Sequence, residues 1–273
     1  MTAIPFTKMD GLGNDFVIID NRDGNVRLTA DQIVALGNRK TGVGFDQLIV
    51  LEKSNKVAVK ILFFNADGSK AGACGNGSRC TGKLLMDQIR SNFIQMEAPD
   101  GRILTASRET EDGLVTVNMG SPRLLWNEIP LAKKTDTLAV SGVLPELPDP
   151  CCVSMGNPHA VFFVDDVDRF DVAKFGSQVE THSLFPDRTN VEFAEVLAKD
   201  LIRMRVWERG AGITEACGTG ACATLVAAVR RGLSADKAEI RMDGGSLWIE
   251  WKDRKDILMT GKTHCAFTGV YNG

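Results

Sequence analysis

The chain has 273 residues, of which 44% are hydrophobic and 25% are charged, proportions typical of a globular protein with room for two domains. A net charge of −3 at pH 7 offers no positive field for nucleic acid, and no apolar run approaches the ~20 residues that would span a membrane. The seven cysteines are an odd number and no secretory signal is evident, so we expect free thiols in a reducing, cytoplasmic compartment.

The first half of the chain is predicted to contain short strands and two helices. One helix is expected at residues 30–39, where Thr29 is a suitable N-cap, and a longer one at residues 78–89. The strands are the apolar or alternating runs at residues 16–19, 48–51, 57–64, 93–97, 103–106 and 114–119.

The second half is predicted to have the same kinds of elements. A long helix is expected at residues 221–231, where Gly232 marks its end, and a shorter helical piece begins at residues 171–175. The strands are predicted at residues 151–155, 160–164, 191–196, 201–207, 238–242, 247–251, 257–260 and 266–271. Many strands with one long helix in each half predict an α+β fold made of two similar halves.

The boundary between the halves is expected in the turn-rich region 121–150, near Pro122. The predicted domains are therefore residues 1–121, completed by a returning last strand at 263–273, and residues 122–262. The two long helices are apolar on more than one side, so we expect each of them to be wrapped by the sheet of its own domain.

One stretch of sequence occurs twice, at residues 65–77 and 208–220. In each copy a polar residue, Asn65 or Glu208, closes an apolar run, and nine residues later Cys74 or Cys217 stands in the sequence Ala-Cys-Gly-x-Gly. A predicted helix follows each copy. A single cysteine would most often be a buried structural residue, but packing alone does not explain two cysteines in the same context.

The position of these cysteines predicts reactivity. The N-terminus of a helix has unpaired N–H groups and a positive partial charge, so a cysteine there is expected to have a lowered pKa and more thiolate. The glycines that follow, such as Gly75 and Gly218, let backbone N–H groups approach an anion such as a carboxylate. The remaining cysteines that lie inside predicted strands and helices are expected in the core: Cys80, Cys151, Cys152 and Cys222.

Several neutral polar residues lie at the ends of predicted strands. They are Asn14, Gln47, Asn157, His159 and Asn190. Each one alone is more typical of a turn or of the surface. Together they provide the donors and acceptors that a polar small-molecule site requires.

The motifs together resemble the diaminopimelate epimerase family. The sequences that carry the resemblance are Asn65-Ala-Asp-Gly-Ser69, Ala73-Cys-Gly-Asn-Gly77, Gly156-Asn-Pro-His159, Arg188-Thr-Asn-Val-Glu-Phe193, Glu208-Arg-Gly210 and Ala216-Cys-Gly-Thr-Gly220. The resemblance implies two pseudo-symmetric domains, each a mainly antiparallel β-sheet rolled around a central helix. It also implies a homodimeric enzyme without cofactor or metal that interconverts LL- and meso-diaminopimelate for lysine and peptidoglycan precursor synthesis.

The same resemblance implies roles for individual residues. Cys74 and Cys217 are the catalytic acid and base, and His159 and Glu208 are polar neighbours that support them. The residues implied for substrate binding are Asn14, Gln47, Asn65, Gly75, Asn76, Asn157, Asn190, Glu208, Arg209, Gly218 and Thr219. Two places depart from the family pattern: Ala73 replaces a larger residue, and residues 261–269 fit poorly.

Three other functions remain open at this point. One is a racemase of another amino acid, such as proline or hydroxyproline, that uses the same two cysteines. The second is a hydrolase with a Cys–His pair that includes His159, which would leave the second cysteine unexplained. The third is a protein that binds a small molecule without catalysis.

Overall fold

The structure is a computed structural model that describes residues 3–72, 74–108 and 113–272. The chain packs as two compact units. Unit 1 contains the described residues up to Asn118 together with those from Gly261 onward, and unit 2 contains Met119–Thr260. The domain ranges drawn from the sequence stay a prediction, whereas the predicted α+β class with few helices and many strands is confirmed.

Unit 1 begins with eight strands and two helices. They are β1 (Ile4–Gly11), β2 (Asn14–Asp20), α1 (Ala30–Gly37), β3 (Gln47–Glu52), β4 (Val59–Asn65), β5 (Lys70–Ala71), α2 (Gly75–Ile89), β6 (Phe93–Glu97), β7 (Ile103–Ser107) and β8 (Leu114–Asn118). Strands β2 and β3, and strands β4 and β6, pair in parallel. The pairs β1–β2, β3–β4, β4–β5, β6–β7 and β7–β8 are antiparallel.

Unit 2 repeats this order of elements. They are β9 (Cys151–Ser154), β10 (Pro158–Phe163), α3 (Val172–Glu180), β11 (Asn190–Ala198), β12 (Leu201–Glu208), β13 (Gly212–Thr214), α4 (Gly218–Arg230), β14 (Lys237–Met242), β15 (Gly245–Lys252) and β16 (Asp256–Lys262). The parallel pairs are β10–β11 and β12–β14, in the same places as in unit 1. The last strand of the chain, β17 (His264–Tyr271), pairs antiparallel with β1.

The central helix of each unit approaches its sheet closely because it carries glycine and other small residues. A Cβ atom added at Gly77 of α2 would lie 2.7 Å from Phe63, and one added at Gly82 would lie 2.6 Å from Ala106. In α4, residues 220–229 are all buried. The expectation that each long helix is wrapped by its own sheet is therefore confirmed.

The helices differ from the predictions mainly at their ends. Helices α2 and α4 each start three residues earlier than predicted, directly after Cys74 and Cys217. Glycine has a low helix propensity, so the sequence alone placed the Gly-rich turns outside the helices. Thr29 is the N-cap of α1, in a reciprocal capping box with Gln32, as its position predicted. Among the described residues, no helix is long and apolar enough to cross a membrane.

Candidate active site

Cys74 occupies the N-cap of α2, where its backbone is extended (φ −104°, ψ 124°). The Ser78 N–H donates to the Cys74 carbonyl oxygen at 2.8 Å and so closes the first turn of the helix. The Cys74 side chain is half-buried and lies at the positive end of the helix. The residue before it, Ala73, which departs from the family pattern, lies outside the described residues.

Asn14 is the polar neighbour of this thiol. The Cys74 sulfur donates to Asn14 Oδ1 at 3.6 Å, and the Asn14 amino group donates to Asp46 Oδ2 at 2.9 Å. The amide of Asn14 therefore presents its acceptor to the sulfur. An acceptor stabilises the thiol form of a cysteine relative to the thiolate.

Gln47 and Asn65 form a second polar pair in unit 1, because they are opposite each other on β3 and β4. Gln47 Nε2 donates to Asn65 Oδ1 at 3.2 Å, and Asn65 Nδ2 donates to Ser69 Oγ at 3.0 Å. The other Gln47 amide atom, Oε1, is buried and has no hydrogen-bond partner among the described residues. A buried acceptor without a partner is costly, which makes it a candidate to receive a donor from a ligand.

Gly75 and Asn76 form the first turn of α2, and both are buried. The Asn76 side chain accepts a hydrogen bond from the buried guanidinium of Arg79, from Nη2 to Oδ1, at 2.8 Å. The side chain of Asn76 is thus held against its own helix. What this turn can offer an anion is its backbone N–H groups, since the first N–H groups of a helix have no carbonyl partner within the helix.

Cys217 occupies the equivalent N-cap of α4, again with an extended backbone (φ −122°, ψ 110°). Its side chain is only 5% exposed. The Gly220 N–H donates to the Cys217 sulfur at 3.4 Å, and Thr219 Oγ1 lies 3.6 Å from the same sulfur. This thiol therefore sits among donors, whereas Cys74 donates to an acceptor.

A line of side chains leads from Cys217 into the core of unit 2. Asn157 Nδ2 donates to Thr219 Oγ1 at 3.2 Å, and Asn157 Oδ1 lies 3.1 Å from His159 Nε2. His159 Nδ1 lies 2.7 Å from Glu192 Oε1, and both of these side chains are fully buried. Since Thr219 accepts from Asn157, its own hydroxyl hydrogen is available to point at the sulfur.

Glu192 lies within the Arg188–Phe193 motif, and no role was predicted for it. It is a carboxyl group inside a buried strand, between Val191 and Phe193, and that anomaly was visible in the sequence. A Cβ atom at Gly220 would lie 2.8 Å from Glu192 Oε1, so only glycine leaves room for this carboxyl group beside the start of α4. Burial raises the pKa of Glu192, and His159 partly offsets this effect.

The expectation that the helix N-terminus lowers the pKa of both cysteines is wrong for Cys217. Burial holds the pKa of this thiol well above its ordinary value, and the negative charges of Glu208 and Glu192 raise it further. The hydrogen bonds from Thr219 and Gly220 oppose the shift. Desolvation outweighs the helix terminus here because a thiolate loses its hydration when it is enclosed.

The turn between β12 and β13 carries Glu208 and Arg209. The Thr214 hydroxyl donates a short hydrogen bond to Glu208 Oε1. The Arg209 backbone N–H donates to Asn190 Oδ1 at 2.9 Å, and Asn190 Nδ2 donates to the Pro158 carbonyl oxygen at 2.9 Å. Asn190 therefore ties this turn to β10, while the side chain of Arg209 is exposed.

Glu180, at the end of α3, holds the same turn from another side and was not anticipated from the sequence. Its carboxylate accepts from Trp207 Nε1 at 2.7 Å and from the Gly210 N–H at 2.9 Å. These two donors flank Glu208 and Arg209. Nothing near Glu180 in the sequence signals the contact, because the partners lie about thirty positions apart.

The structure thus groups the predicted residues within each unit. Unit 1 joins Cys74 to Asn14, and Gln47 to Asn65. Unit 2 joins Cys217, Thr219, Asn157 and His159 in one line, and Asn190 to the Arg209 turn. Cys80, Cys151, Cys152 and Cys222 are fully buried, as expected for core residues. In the described part of the chain, no group of three or more His, Cys, Asp or Glu residues could hold a metal ion.

Comparison with known proteins gives one consistent family. The profile of the family described as diaminopimelate epimerase matches residues 6–125 and 151–265. The diaminopimelate epimerase of Rhodospirillum centenum is 53% identical over 266 residues, which is 97% of this chain and 91% of that protein. The diaminopimelate epimerase of Phenylobacterium zucineum is 50% identical over 97% of this chain and 96% of its own length.

Solved structures with the same fold are more distant in sequence. A phenazine biosynthesis protein of the PhzF family from Bacillus anthracis has a TM-score of 0.68 at 14% identity, with all of both chains covered. A probable proline racemase from Agrobacterium radiobacter has a TM-score of 0.66 at 15% identity, with 98% of this chain and 93% of that chain covered. At these identities the likeness shows the fold alone.

Proposed function

The chain belongs to the diaminopimelate epimerase family and is an amino-acid epimerase, and we propose that Cys74 and Cys217 exchange the α-hydrogen of diaminopimelate between its LL and meso forms. The observation that carries the proposal is the pair of thiols. Each one is the N-cap of the central helix of its own unit. Two such thiols supply the acid and the base that inversion of a carbon centre requires.

The reaction follows from this pair. One cysteine, as thiolate, removes the α-proton, and the electron pair of the broken C–H bond stays on the α-carbon and spreads into the carboxylate. The other cysteine, as thiol, delivers its proton to the opposite face of the carbon. One proton leaves the α-carbon and one returns to it, so the atoms and charges of the substrate are unchanged. The two cysteines exchange roles in the reverse direction.

The negative charge that develops on the substrate carboxylate requires stabilisation without a cofactor. The N-terminal turns of α2 and α4, at Gly75-Asn76 and Gly218-Thr219, carry backbone N–H groups and the positive ends of two helix dipoles. Donors that are already oriented before the reaction stabilise a developing anion better than water does. We assign these two turns to the reacting carboxylate.

The hydrogen bonds support different proposed starting roles for the two thiols. Cys74 donates to Asn14, which suits a thiol acid, whereas Gly220 and Thr219 can donate to Cys217, which suits a thiolate base. Because burial raises the pKa of Cys217, its resting form is the thiol. The ammonium groups of the substrate are cations, and a nearby cation lowers the pKa of a thiol. Substrate binding would therefore help to ionise Cys217.

The far end of the substrate is an amino acid head with one ammonium and one carboxylate. The side chain of Arg209 is exposed, and its Nη1 donates to the Asp187 carbonyl oxygen at 3.0 Å. Its guanidinium suits the substrate carboxylate, because a planar fork matches two oxygens. The neighbouring Glu208 carboxylate suits an ammonium. Asn65, Asn157, Asn190, Asn14 and Gln47 are the remaining substrate contacts that we propose.

The resemblance also supports three further proposals: a homodimer, a cytoplasmic location, and catalysis without pyridoxal phosphate. A racemase of proline or hydroxyproline remains the alternative, since a probable proline racemase has the same fold. Glu208 and Arg209 disfavour it, because proline has no second charged head to pair with them.

The decisive test is incubation with LL-diaminopimelate in deuterated water, followed by NMR of the epimer ratio and of deuterium at the α-carbon. We expect meso product with one α-deuterium incorporated at the inverted centre. Proline in the same assay is the control and should exchange no deuterium. Deuterium incorporation into proline but not into diaminopimelate would show that the site acts on the alternative substrate. No deuterium incorporation into either compound would refute the two-thiol mechanism.

A further inference from the structure

Four charged residues of unit 1 form a cluster next to Asn14: Lys8, Asp15, Arg39 and Asp46, here called the Asp15 cluster. Arg39 donates to both oxygens of Asp15, at 2.9 and 2.7 Å, and to Asp46 Oδ1 at 2.7 Å. Lys8, which is 8% exposed, donates to Asp15 Oδ2 at 2.6 Å. Two cations and two carboxylates thus balance each other. Burial by itself raises the pKa of Asp15, but the hydrogen bonds and charges of Arg39 and Lys8 outweigh it and hold that pKa far below its usual range.

Asp46 connects this cluster to the reactive thiol. Its Oδ1 is held by Arg39, and its Oδ2 accepts from the Asp15 backbone N–H at 3.0 Å and from Asn14 Nδ2 at 2.9 Å. A carboxylate can only accept hydrogen bonds, so it selects the amino group of Asn14. The carbonyl oxygen of Asn14 is left on the side of Cys74, at 3.6 Å from the sulfur.

We propose that Asp46 is a positioning residue, which fixes the amide of Asn14 so that an acceptor and not a donor faces Cys74. The proposal rests on the proposed role of Cys74 as an acid. An amide has two orientations of nearly equal shape, and its partners decide between them. A flipped Asn14 would direct N–H groups at the sulfur and stabilise the thiolate, which cannot deliver a proton.

The Asp46→Asn variant tests this directly, because its side chain keeps the shape of Asp46 but can donate to Asn14 Oδ1. The amide of Asn14 is then released to turn its amino group towards Cys74. The pH midpoint for alkylation of Cys74 should fall by about one unit, since a donor has replaced an acceptor. Peptide-resolved mass spectrometry of iodoacetamide labelling measures Cys74 separately from the other six cysteines.

A charge effect would also lower this midpoint, because the variant removes one negative charge. The Asn14→Ala background separates the two causes. If Asp46 acts through the amide, Asp46→Asn should move the midpoint clearly less once Asn14 is alanine, because only the charge effect then remains. A shift of equal size in both backgrounds would overturn the proposal, and so would an unchanged midpoint in the folded single variant.

Two controls complete the experiment. Asp23→Asn removes a carboxylate from unit 1 that is exposed and bonds only locally to Asn25, and it should leave the midpoint unchanged. Circular dichroism verifies folding, and Asp46→Ala, which also frees the Asn14 amide, replaces Asp46→Asn if the latter does not fold. The labelling needs no substrate, so its outcome is independent of whether the chain turns over diaminopimelate.

Discussion

Cys74 and Cys217 start equivalent helices, yet their surroundings have opposite polarity. Cys74 is half-buried and donates to Asn14, which Asp46 holds in place. Cys217 is 5% exposed, accepts from the Gly220 N–H and lies beside the hydroxyl of Thr219. The duplicated sequence therefore sets where each sulfur lies. The hydrogen-bond partners differ in origin: Thr219 and Gly220, beside Cys217, belong to the duplicated stretch, whereas Asn14, beside Cys74, lies outside it.

This difference bears on the proposed two-thiol mechanism. A symmetric pair of thiols would have equal pKa values, and either one could hold the proton. In the proposed mechanism, an acceptor at Cys74 and donors at Cys217 favour the direction in which Cys74 acts as the acid and Cys217 as the base. Substitutions at and around each sulfur test how far that asymmetry extends.

The largest effect is expected when either reactive sulfur is removed. Cys74→Ala and Cys217→Ala should each lower kcat by about 10³-fold or more, because neither acid nor base catalysis can proceed alone. An assay of epimer ratio by NMR measures this. Cys80→Ala and Cys222→Ala are matched controls on the same helices and should remain active. Near-normal turnover in either reactive-site variant would disprove the two-thiol scheme.

A smaller effect is expected when Arg209, which lies in unit 2, is substituted. Arg209→Lys should reduce kcat/KM by about 10- to 100-fold, as expected for losing one charge-assisted hydrogen bond of a planar fork. Steady-state kinetics with LL-diaminopimelate give the value. Arg169→Lys is the control, because the Arg169 side chain is 90% exposed. Unchanged kinetics in Arg209→Lys would remove this residue from the substrate site.

The hydroxyl of Thr219, next to Cys217, is expected to contribute less to the reaction rate than Arg209. Thr219→Val removes the hydroxyl between Asn157 and the sulfur and should lower kcat by about tenfold, the worth of one hydrogen bond of roughly 1.4 kcal/mol. Thr219→Ser keeps a hydroxyl and should restore most of the activity. Equal activity of the serine and valine variants would contradict the role of the hydroxyl, because only the serine variant retains it.

The smallest effect is a shift in the reactivity of Cys217 in the empty protein. Because burial and Glu208 raise the pKa of this thiol, its alkylation should begin only at a pH above the usual range for cysteine. Glu208→Gln removes a negative charge, which stabilises the thiolate, so the midpoint should fall by up to about one unit. Glu250→Gln, on β15, is a control of the same chemistry. A midpoint that rises or stays constant would contradict the electrostatic account.

Some of these features were present in the sequence. Most strands, the central helices and the two Cys-Gly-x-Gly turns were identifiable because local patterns encode them: alternation, helical periodicity, and glycine after a polar strand end. Strands β1, β5 and β13 were not predicted. The family motifs named the polar residues at the strand ends. The early start of α2 and α4 was missed, because glycine is a poor helix former and only packing against the sheet makes those turns helical.

The partner of the Cys74 sulfur, and the groups that surround the local donors of Cys217, were decided by the tertiary structure alone. Cys74 meets Asn14 across 60 positions of sequence, and Thr219 meets Asn157 across 62. The pKa of Cys217 depends on enclosure by many residues and on two carboxylates, Glu208 and Glu192, which approach it only after folding. Sequence fixes which groups can ionise, but desolvation and hydrogen-bond direction are properties of three-dimensional contact, and these decide which form each group holds.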